Sequence, residues 1–365
     1  MLNYKDLANQ CILCGICAEA CPFYLVTNNL KYGAMAKVEV AQRLFRGEVL
    51  NEEDLKTIFM CTRCDYCHNY CPYGIEISTI IQGARAELRK MNRVPEKYKT
   101  IAQSIIDFGS PMAAPREKWL SYIPQGFKDK EKAKYLYFPG CWAAIRLPET
   151  AKASMELLIK TGIDFTILNG REWCCGLFLI DTGLLDEAAK LAEKNTLLFE
   201  STSAEYIITE CPSCCDVFKN VYPKLFRKPS YEVLHISQLI NKLLNEEVLK
   251  IELMNKRIIY KDPCPLVRRL EIIEEPRAII NKIAELVEYD KNKWEALCCG
   301  APAGVKPIFP EIANKLAEVL INESKDKNAD IAVGCVFCMY HMSGVAGDRK
   351  IYTLSQLLIE NIKRG

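Results

Sequence analysis

Eight cysteines near the N-terminus spell one motif twice: Cys-x2-Cys-x2-Cys-x3-Cys-Pro reads Cys11, Cys14, Cys17, Cys21 and then Cys61, Cys64, Cys67, Cys71. Three thiolates separated by two residues can converge from one loop on three corners of an iron-sulfur cube, and a fourth ligand then has to come from elsewhere in the chain. Zinc competes for any Cys-x2-Cys element, but zinc sites join two such pairs and do not use a third Cys at the same interval. The pattern points to paired [4Fe-4S] clusters and to electron transfer.

Ten more cysteines form a second pattern, also in duplicate. Cys141 is followed after 32 residues by Cys174 and Cys175, and after 35 more by Cys211 and Cys214. Cys264 is followed after 33 residues by Cys298 and Cys299, and after 35 more by Cys335 and Cys338. Five soft ligands per copy exceed the four that a cubane or a tetrahedral zinc takes. The surplus leaves two options: an unusual cluster with more thiolate contacts, or four ligands plus one redox cysteine. Buried structural thiols explain one Cys-Cys pair but not the same five positions twice. Gly176 and Gly300 follow the two pairs, where the absence of a Cβ lets the backbone turn tightly against a bulky group. Of nineteen cysteines only Cys215 is left over, and an inert buried thiol is its default reading.

The 365 residues, 50% hydrophobic and 26% charged, can bury the cores of two or three domains. Cysteine is too sparse for a disulfide scaffold and no secretory signal opens the sequence, so reduced, metal-bound thiolates in the cytoplasm are expected. The formal charge is +2, with Lys and Arg interleaved among Asp and Glu, which argues against a nucleic-acid surface. No apolar run approaches the roughly 18 to 20 residues that span a bilayer. Membrane association is therefore expected only peripherally, through a partner. No Gly-rich dinucleotide fingerprint appears, so no flavin is expected on this chain.

The elements that must position these cysteines follow from periodicity. Residues 37–46, 51–59 and 80–91 read as helices, making 1–95 a small helical domain, and 96–133 is rich in Pro and Gly and reads as a linker with short helices. Beyond it, apolar runs at 135–138, 165–168 and 206–209 alternate with helical segments at 148–161 and 184–202. The same alternation returns with runs at 257–260 and 331–333 and helices at 275–286 and 310–325. Three of these runs lead into Cys211, Cys264 and Cys335. Alternation predicts α/β layering, in an internal repeat of about 120 residues occupying 134–245 and 246–365. The expected fold is α+β and multidomain, a helical ferredoxin-like domain followed by two pseudo-repeated α/β domains.

The first motif pair resembles two-cluster ferredoxins, in which the cysteine before proline serves the other cluster. On that pattern Cys11, Cys14, Cys17 and Cys71 hold one cubane [4Fe-4S] cluster, and Cys61, Cys64, Cys67 and Cys21 hold the second. The long repeats resemble the CCG domain, through Tyr137-Phe138-Pro139-Gly140-Cys141, Glu172-Trp173-Cys174-Cys175-Gly176, Cys211-Pro212-Ser213-Cys214, Asp262-Pro263-Cys264 and Cys298-Cys299-Gly300-Ala301. Together the parts resemble heterodisulfide reductase D-type subunits. They are also similar to iron-sulfur subunits of glycolate, lactate and anaerobic glycerol-3-phosphate dehydrogenases.

The first resemblance implies a noncubane [4Fe-4S] cluster on Cys141, Cys174, Cys175, Cys211 and Cys214, and a second on Cys264, Cys298, Cys299, Cys335 and Cys338. The two would flank a small-molecule disulfide and reduce or form it, with electrons exchanged through a flavoprotein, haem-protein or ferredoxin partner. The second resemblance implies instead a non-catalytic electron-transfer subunit of an FAD-linked dehydrogenase. Relatives often read His-Asp-Pro-Cys-His where this chain has Lys261-Asp262-Pro263-Cys264-Pro265, so proton donation from those histidines is missing. A glycine run common in relatives is replaced by Ala301-Pro302-Ala303-Gly304.

Among lesser candidates, His235 and His341 are possible proton donors and His68 reads as a loop residue. Trp142 and Trp173 flank the expected ligands. Lys261 and Arg268 carry charges that attract an anion or simply face solvent.

Overall fold

The computed structural model describes residues 3–362, so the outer limits of the first and last expected domains, at 1 and 365, lie outside the described residues. Local signals set the N-terminal helices. Asn51 opens the helix Glu52–Phe59 with a capping box: its side chain accepts from the Asp54 N–H at 2.9 Å, and the Asp54 carboxylate accepts from the Asn51 N–H at 3.0 Å. This satisfies two donors that a first turn leaves free. The helices Ala34–Phe45 and Ile77–Lys90 pack on it and on each other. Val38, Ala41, Ile58, Ile80, Ile81 and Leu88 fill the space between them, and the two cysteine motifs are the loops around this core.

The segment 96–133, expected as connecting structure with short helices, packs against its neighbours. It contains the 13-residue helix Glu96–Phe108, whose Tyr98, Ala102 and Ile105 are buried. The Tyr98 hydroxyl donates to the Ala303 carbonyl at 2.6 Å, tying the helix to the distant second repeat.

From residue 135 the chain builds two parallel sheets of one design. The first uses β1 (Tyr135–Tyr137), β2 (Phe165–Thr166), β3 (Tyr206–Thr209) and β4 (Glu232–His235) in the order β2-β1-β3-β4. The second uses β5 (Arg257–Lys261), β6 (Glu285–Glu288), β7 (Asp330–Val333) and β8 (Ile351–Thr353) in the order β6-β5-β7-β8. Strand order reverses between β1 and β3, and between β5 and β7. Connections leave those central strands in opposite directions, which opens a crevice at their carboxyl ends.

The helix expected over 275–286 stops at Asn281, and the chain continues as β6. β6 carries Glu at both ends and reads as helical, yet its backbone pairs with β5, with Arg257 opposite Glu285 and their side chains 3.0 Å apart. β4 and β8 were likewise absent from the sequence expectation.

The two repeats pack with a pseudo-two-fold exchange. The helix Ile236–Asn245 of the first repeat lies on Glu274–Asn281 of the second, and Leu354–Ile359 of the second lies on Pro148–Thr161 of the first. These are equivalent helices swapped, as in a self-complementary interface. One apolar core runs through both sheets.

Candidate functional site

The first two cysteine sets gather across motifs. Cys11, Cys14, Cys17 and Cys71 line one small cavity, and Cys21, Cys61, Cys64 and Cys67 line another. The last cysteine of each motif thus sits with the first three of the other. Both loops use the same backbone path, with left-handed residues at Leu13 (φ 55°) and Gly15 (85°) in one and at Arg63 (53°) and Asp65 (62°) in the other.

Burial raises the thiol pKa values of Cys11, Cys17, Cys61 and Cys67, and neighbouring sulfurs add to it. Cys17 is pushed up to about 11 by burial and by Cys11 and Cys71. Cys67 is pushed well above its ordinary value by burial and then by Cys64, Cys61 and Cys21. Four such thiols cannot ionise together without cationic charge among them, which iron in a cluster supplies. Among the described residues no three Cys, His or carboxylate side chains converge tightly enough to chelate a single ion. A multi-iron cluster, with ligands on separate corners, fits this wider spacing better than zinc.

The ten remaining cysteines lie at the crevices that the sheet order creates. Cys141 begins a helix just after β1, Cys211 and Cys214 follow β3, and Cys174 and Cys175 occupy the loop after β2. The second repeat repeats this after β5, β7 and β6. The Cys141 and Cys174 sulfurs are 3.8 Å apart, Cys264 and Cys298 4.0 Å, and Cys299 and Cys338 3.6 Å. Gly176 (φ 80°) and Gly300 (φ 92°) take the left-handed turn expected of them. Their N–H groups point at Cys174 Sγ and Cys298 Sγ, at 3.5 and 3.4 Å.

The two repeats differ in access. A cleft of about 480 Å3 is lined by all five cysteines of the first repeat and by none of the second, a size within the roughly 300–1,000 Å3 of small-molecule sites. Its far side is second-repeat: the loop Ala301–Gly304 together with Lys306, Phe337 and Tyr340. Arg85, fully buried, donates to the Ala303 carbonyl at 3.2 Å and to the Cys61 carbonyl at 2.7 Å, so one guanidinium holds both a cleft loop and a cluster loop.

Trp142 lines the cleft, 4.6 Å from both Phe337 and Tyr340. Trp173 does not line it and lies between Lys194 and Arg116, at 3.3 and 4.8 Å from its ring. Lys306 Nζ sits 4.6 Å over Tyr340 and 2.9 Å from His341 Nδ1, while His341 Nε2 is 3.0 Å from the Ala313 carbonyl. A carbonyl can only accept, so Nε2 carries the ring proton and Nδ1 accepts from Lys306. The half-buried Lys306, and not His341, presents the proton to the cleft, and burial lowers its pKa.

Other candidates resolve plainly. His235 is fully buried between the repeats: Ser237 N–H donates to Nδ1 at 3.3 Å and Nε2 donates to the Gly334 carbonyl at 3.1 Å, so it serves packing. His68 hydrogen-bonds within its own loop, at the Ile75 carbonyl. Cys215 is buried and its thiol is pushed up to about 12, chiefly by burial, which makes it inert. Arg268 is partly exposed and lies outside the cleft lining: it donates to the carbonyls of Cys64, Trp294 and Ala296. Lys261 is buried with its ammonium toward Cys338. Lys37, Arg85, Arg146 and Lys306 carried no signal in the sequence, where they are four of 48 cations.

The second motif and the second repeat touch. Arg268 Nη1 donates to the Cys64 carbonyl at 2.9 Å, and the neighbouring Cys298 thiol pulls the Cys64 pKa down. The charge of Cys211 is also felt at Cys335, across the two repeats.

A model of a cysteine-rich domain, CCG, matches residues 135–219 and 258–343, and a 4Fe-4S dicluster domain model matches 7–75. The D-type subunit of the dihydromethanophenazine:CoB--CoM heterodisulfide reductase of Methanosarcina barkeri is 30% identical, over 97% of this chain and 92% of that one. The chain belongs to the family of heterodisulfide reductase D-type subunits. It is an iron-sulfur electron-transfer protein of that type, and its relatives are subunits of larger complexes. The B-type subunit of the fumarate reductase (CoM/CoB) of Methanothermobacter marburgensis is 28% identical over 98% of this chain and 73% of that one. The EtfAB:quinone oxidoreductase of Syntrophomonas wolfei is 27% identical over 83% of this chain and 49% of that one. Among solved structures, an aspartate racemase homologue from Pyrococcus horikoshii aligns at a TM-score of 0.27 and 12% identity over 62% of this chain and 96% of that one, too slight a likeness to carry function. Among the described residues no helix is long and apolar enough to cross a membrane.

Proposed function

We propose that this chain accepts electrons at its N-terminal motifs and delivers them to a small-molecule disulfide in the cleft beside the first cysteine-rich repeat. Cys11, Cys14, Cys17 and Cys71 hold one cubane [4Fe-4S] cluster, and Cys61, Cys64, Cys67 and Cys21 the other. Cys141, Cys174, Cys175, Cys211 and Cys214 hold one noncubane [4Fe-4S] cluster, and Cys264, Cys298, Cys299, Cys335 and Cys338 its twin. When bound, these groups supply transfers of one electron at a time. The reaction is R–S–S–R′ + 2 e− + 2 H+ → R–SH + R′–SH, with electrons from a flavoprotein, haem-protein or ferredoxin partner.

The cleft open to all five first-repeat cysteines carries this reading. A pure conduit needs proximity between carriers and no chamber for a small molecule. Trp142, Phe337 and Tyr340 offer apolar faces to the carbon arms of a disulfide, and Arg146 and Lys306 offer cations to its anionic groups. Lys306 can also give its proton to a departing thiolate, since burial has weakened its hold on it. Electrons enter most readily near Cys14, which is exposed.

Viologen-linked disulfide reduction by the anaerobically purified protein tests the reading. Oxidation of two viologen radicals per disulfide is expected, and iron-replete protein inert toward a broad disulfide panel overturns it. The likeness to EtfAB:quinone oxidoreductase supports the second reading, a non-catalytic subunit beside a flavoprotein. Co-purification of a flavoprotein, with cluster reduction driven by a hydroxy acid, favours that one.

A further inference from the structure

Lys37 and Lys261 are the only buried lysines among the described residues, each 1% exposed, and both end at a cysteine sulfur. Lys37 Nζ donates to Cys21 Sγ at 3.0 Å and to the Tyr32 carbonyl at 2.6 Å. Lys261 Nζ donates to the Asp262 carbonyl at 2.7 Å and lies 3.6 Å from Cys338 Sγ. Among the described residues neither ammonium has a carboxylate within 4.0 Å. The nearest in sequence, Asp262, is bound by both Arg277 nitrogens at 2.7 and 2.8 Å. A buried charge without a counter-charge is among the most unfavourable things a fold can contain. The sulfurs are the anions these lysines face.

Each lysine marks one member of a pair of otherwise equivalent sites. Lys37 lines the cavity of Cys21, Cys61, Cys64 and Cys67, and no lysine lines that of Cys11, Cys14, Cys17 and Cys71. Lys261 stands three residues before Cys264, and three residues before Cys141 the first repeat has Phe138, buried in an aromatic cluster with Phe199 and Phe218. The two lysine-bearing sites are also neighbours, joined where Arg268 of the second repeat donates to the Cys64 carbonyl at 2.9 Å and Arg269 pairs with Asp65 at 2.7 Å.

A cluster gains negative charge when reduced, and a fixed cation in a low-dielectric site favours the reduced form. Resting on the cluster assignment above, we propose that Lys37 and Lys261 set potentials: each raises the reduction potential of the cluster whose sulfur it touches. Their two adjoining clusters form an electron reservoir between the exposed first motif and the cleft. Both are positioning residues and neither touches the disulfide.

EPR-monitored redox titration of the intact, iron-counted protein tests this. Lys261→Met is expected to lower the potential of the second-repeat cluster alone and Lys37→Met that of one cubane alone, with Lys261→Arg restoring the wild-type value. Unmoved potentials in fully loaded Met variants overturn the proposal, as does an equal shift of every cluster. Should Lys261→Met lose iron, Lys261→Gln is titrated instead, and loss of the cluster from both assigns the lysine a structural role and overturns it too. Iron and sulfide counts on the wild type keep the two readings apart. A second repeat without a cluster sinks the assignment above together with this proposal, whereas full clusters with unmoved potentials sink this proposal alone.

Discussion

Arg268 Nη1 donates to the Cys64 carbonyl at 2.9 Å, so a side chain of the second repeat holds the backbone of the second cluster loop. Its other nitrogens bond the Trp294 and Ala296 carbonyls, and its neighbour Arg269 pairs with Asp65 of the same loop at 2.7 Å. Arg268→Ala leaves two partly buried carbonyls and one exposed carbonyl without this donor, and buried hydrogen bonds to a charged group contribute roughly 1.5–3 kcal/mol each, not additively. Freeze-quench EPR is expected to show slower electron passage from the N-terminal clusters to the second repeat, with Arg268→Lys intermediate because it lacks the planar fork. Unchanged passage in the Ala variant refutes the coupling.

Cross-motif sharing has its own signature. Cys71→Ser is expected to remove the same EPR species as Cys11→Ser, and Cys21→Ser the same species as Cys61→Ser. Matching losses for Cys71→Ser and Cys61→Ser would show that each motif serves its own cluster.

Lys306→Met is expected to lower kcat/KM for an anionic disulfide about tenfold or more, equivalent to roughly 1.4 kcal/mol of transition-state stabilisation, while a neutral disulfide is affected less. Equal losses on both would deny Lys306 a role toward substrate charge.

Burial pulls His235 down to about 4, whereas a histidine in an unfolded chain titrates near 6.5. The unfolded state therefore binds the extra proton between those values, and stability falls as pH falls. The contribution is full above about pH 6.5 and is lost toward pH 4, on the order of 3 kcal/mol across the window. Anaerobic denaturant unfolding at several pH values is expected to give a flatter acid slope for His235→Gln than for wild type; parallel slopes would remove His235 as the cause.

An added Cβ at Gly300 would lie 2.7 Å from the Ala313 carbonyl oxygen, and one at Gly176 3.2 Å from the end of the Leu191 side chain. Both positions are left-handed, a conformation that strains other residues by about 1–3 kcal/mol. Backbone cannot yield as a leucine tip can. Gly300→Ala is therefore expected to lose second-repeat iron while Gly176→Ala keeps most of its cluster, and iron per chain read beside EPR decides the order.

The cysteine spacing made the class of chemistry and the doubled architecture legible before any coordinates. Strands that run into cysteines were readable because apolar runs such as 206–209 are buried on both faces in a parallel sheet. β4, β6 and β8 were not. They are short strands at sheet edges with polar residues, and neighbours in space, not their own composition, hold them extended.

Sequence by itself determined which thiols one loop can bring together, since two or three residues of chain have a short reach. Only the tertiary structure decided what crosses between elements: Lys37 against Cys21, Lys261 against Cys338, Arg268 on the Cys64 carbonyl, and a cleft that opens to the cysteines of the first repeat and not to those of the second. Those contacts depend on how helices and sheets pack at a distance, and no local pattern of residue types encodes which of 48 cations will end buried against sulfur.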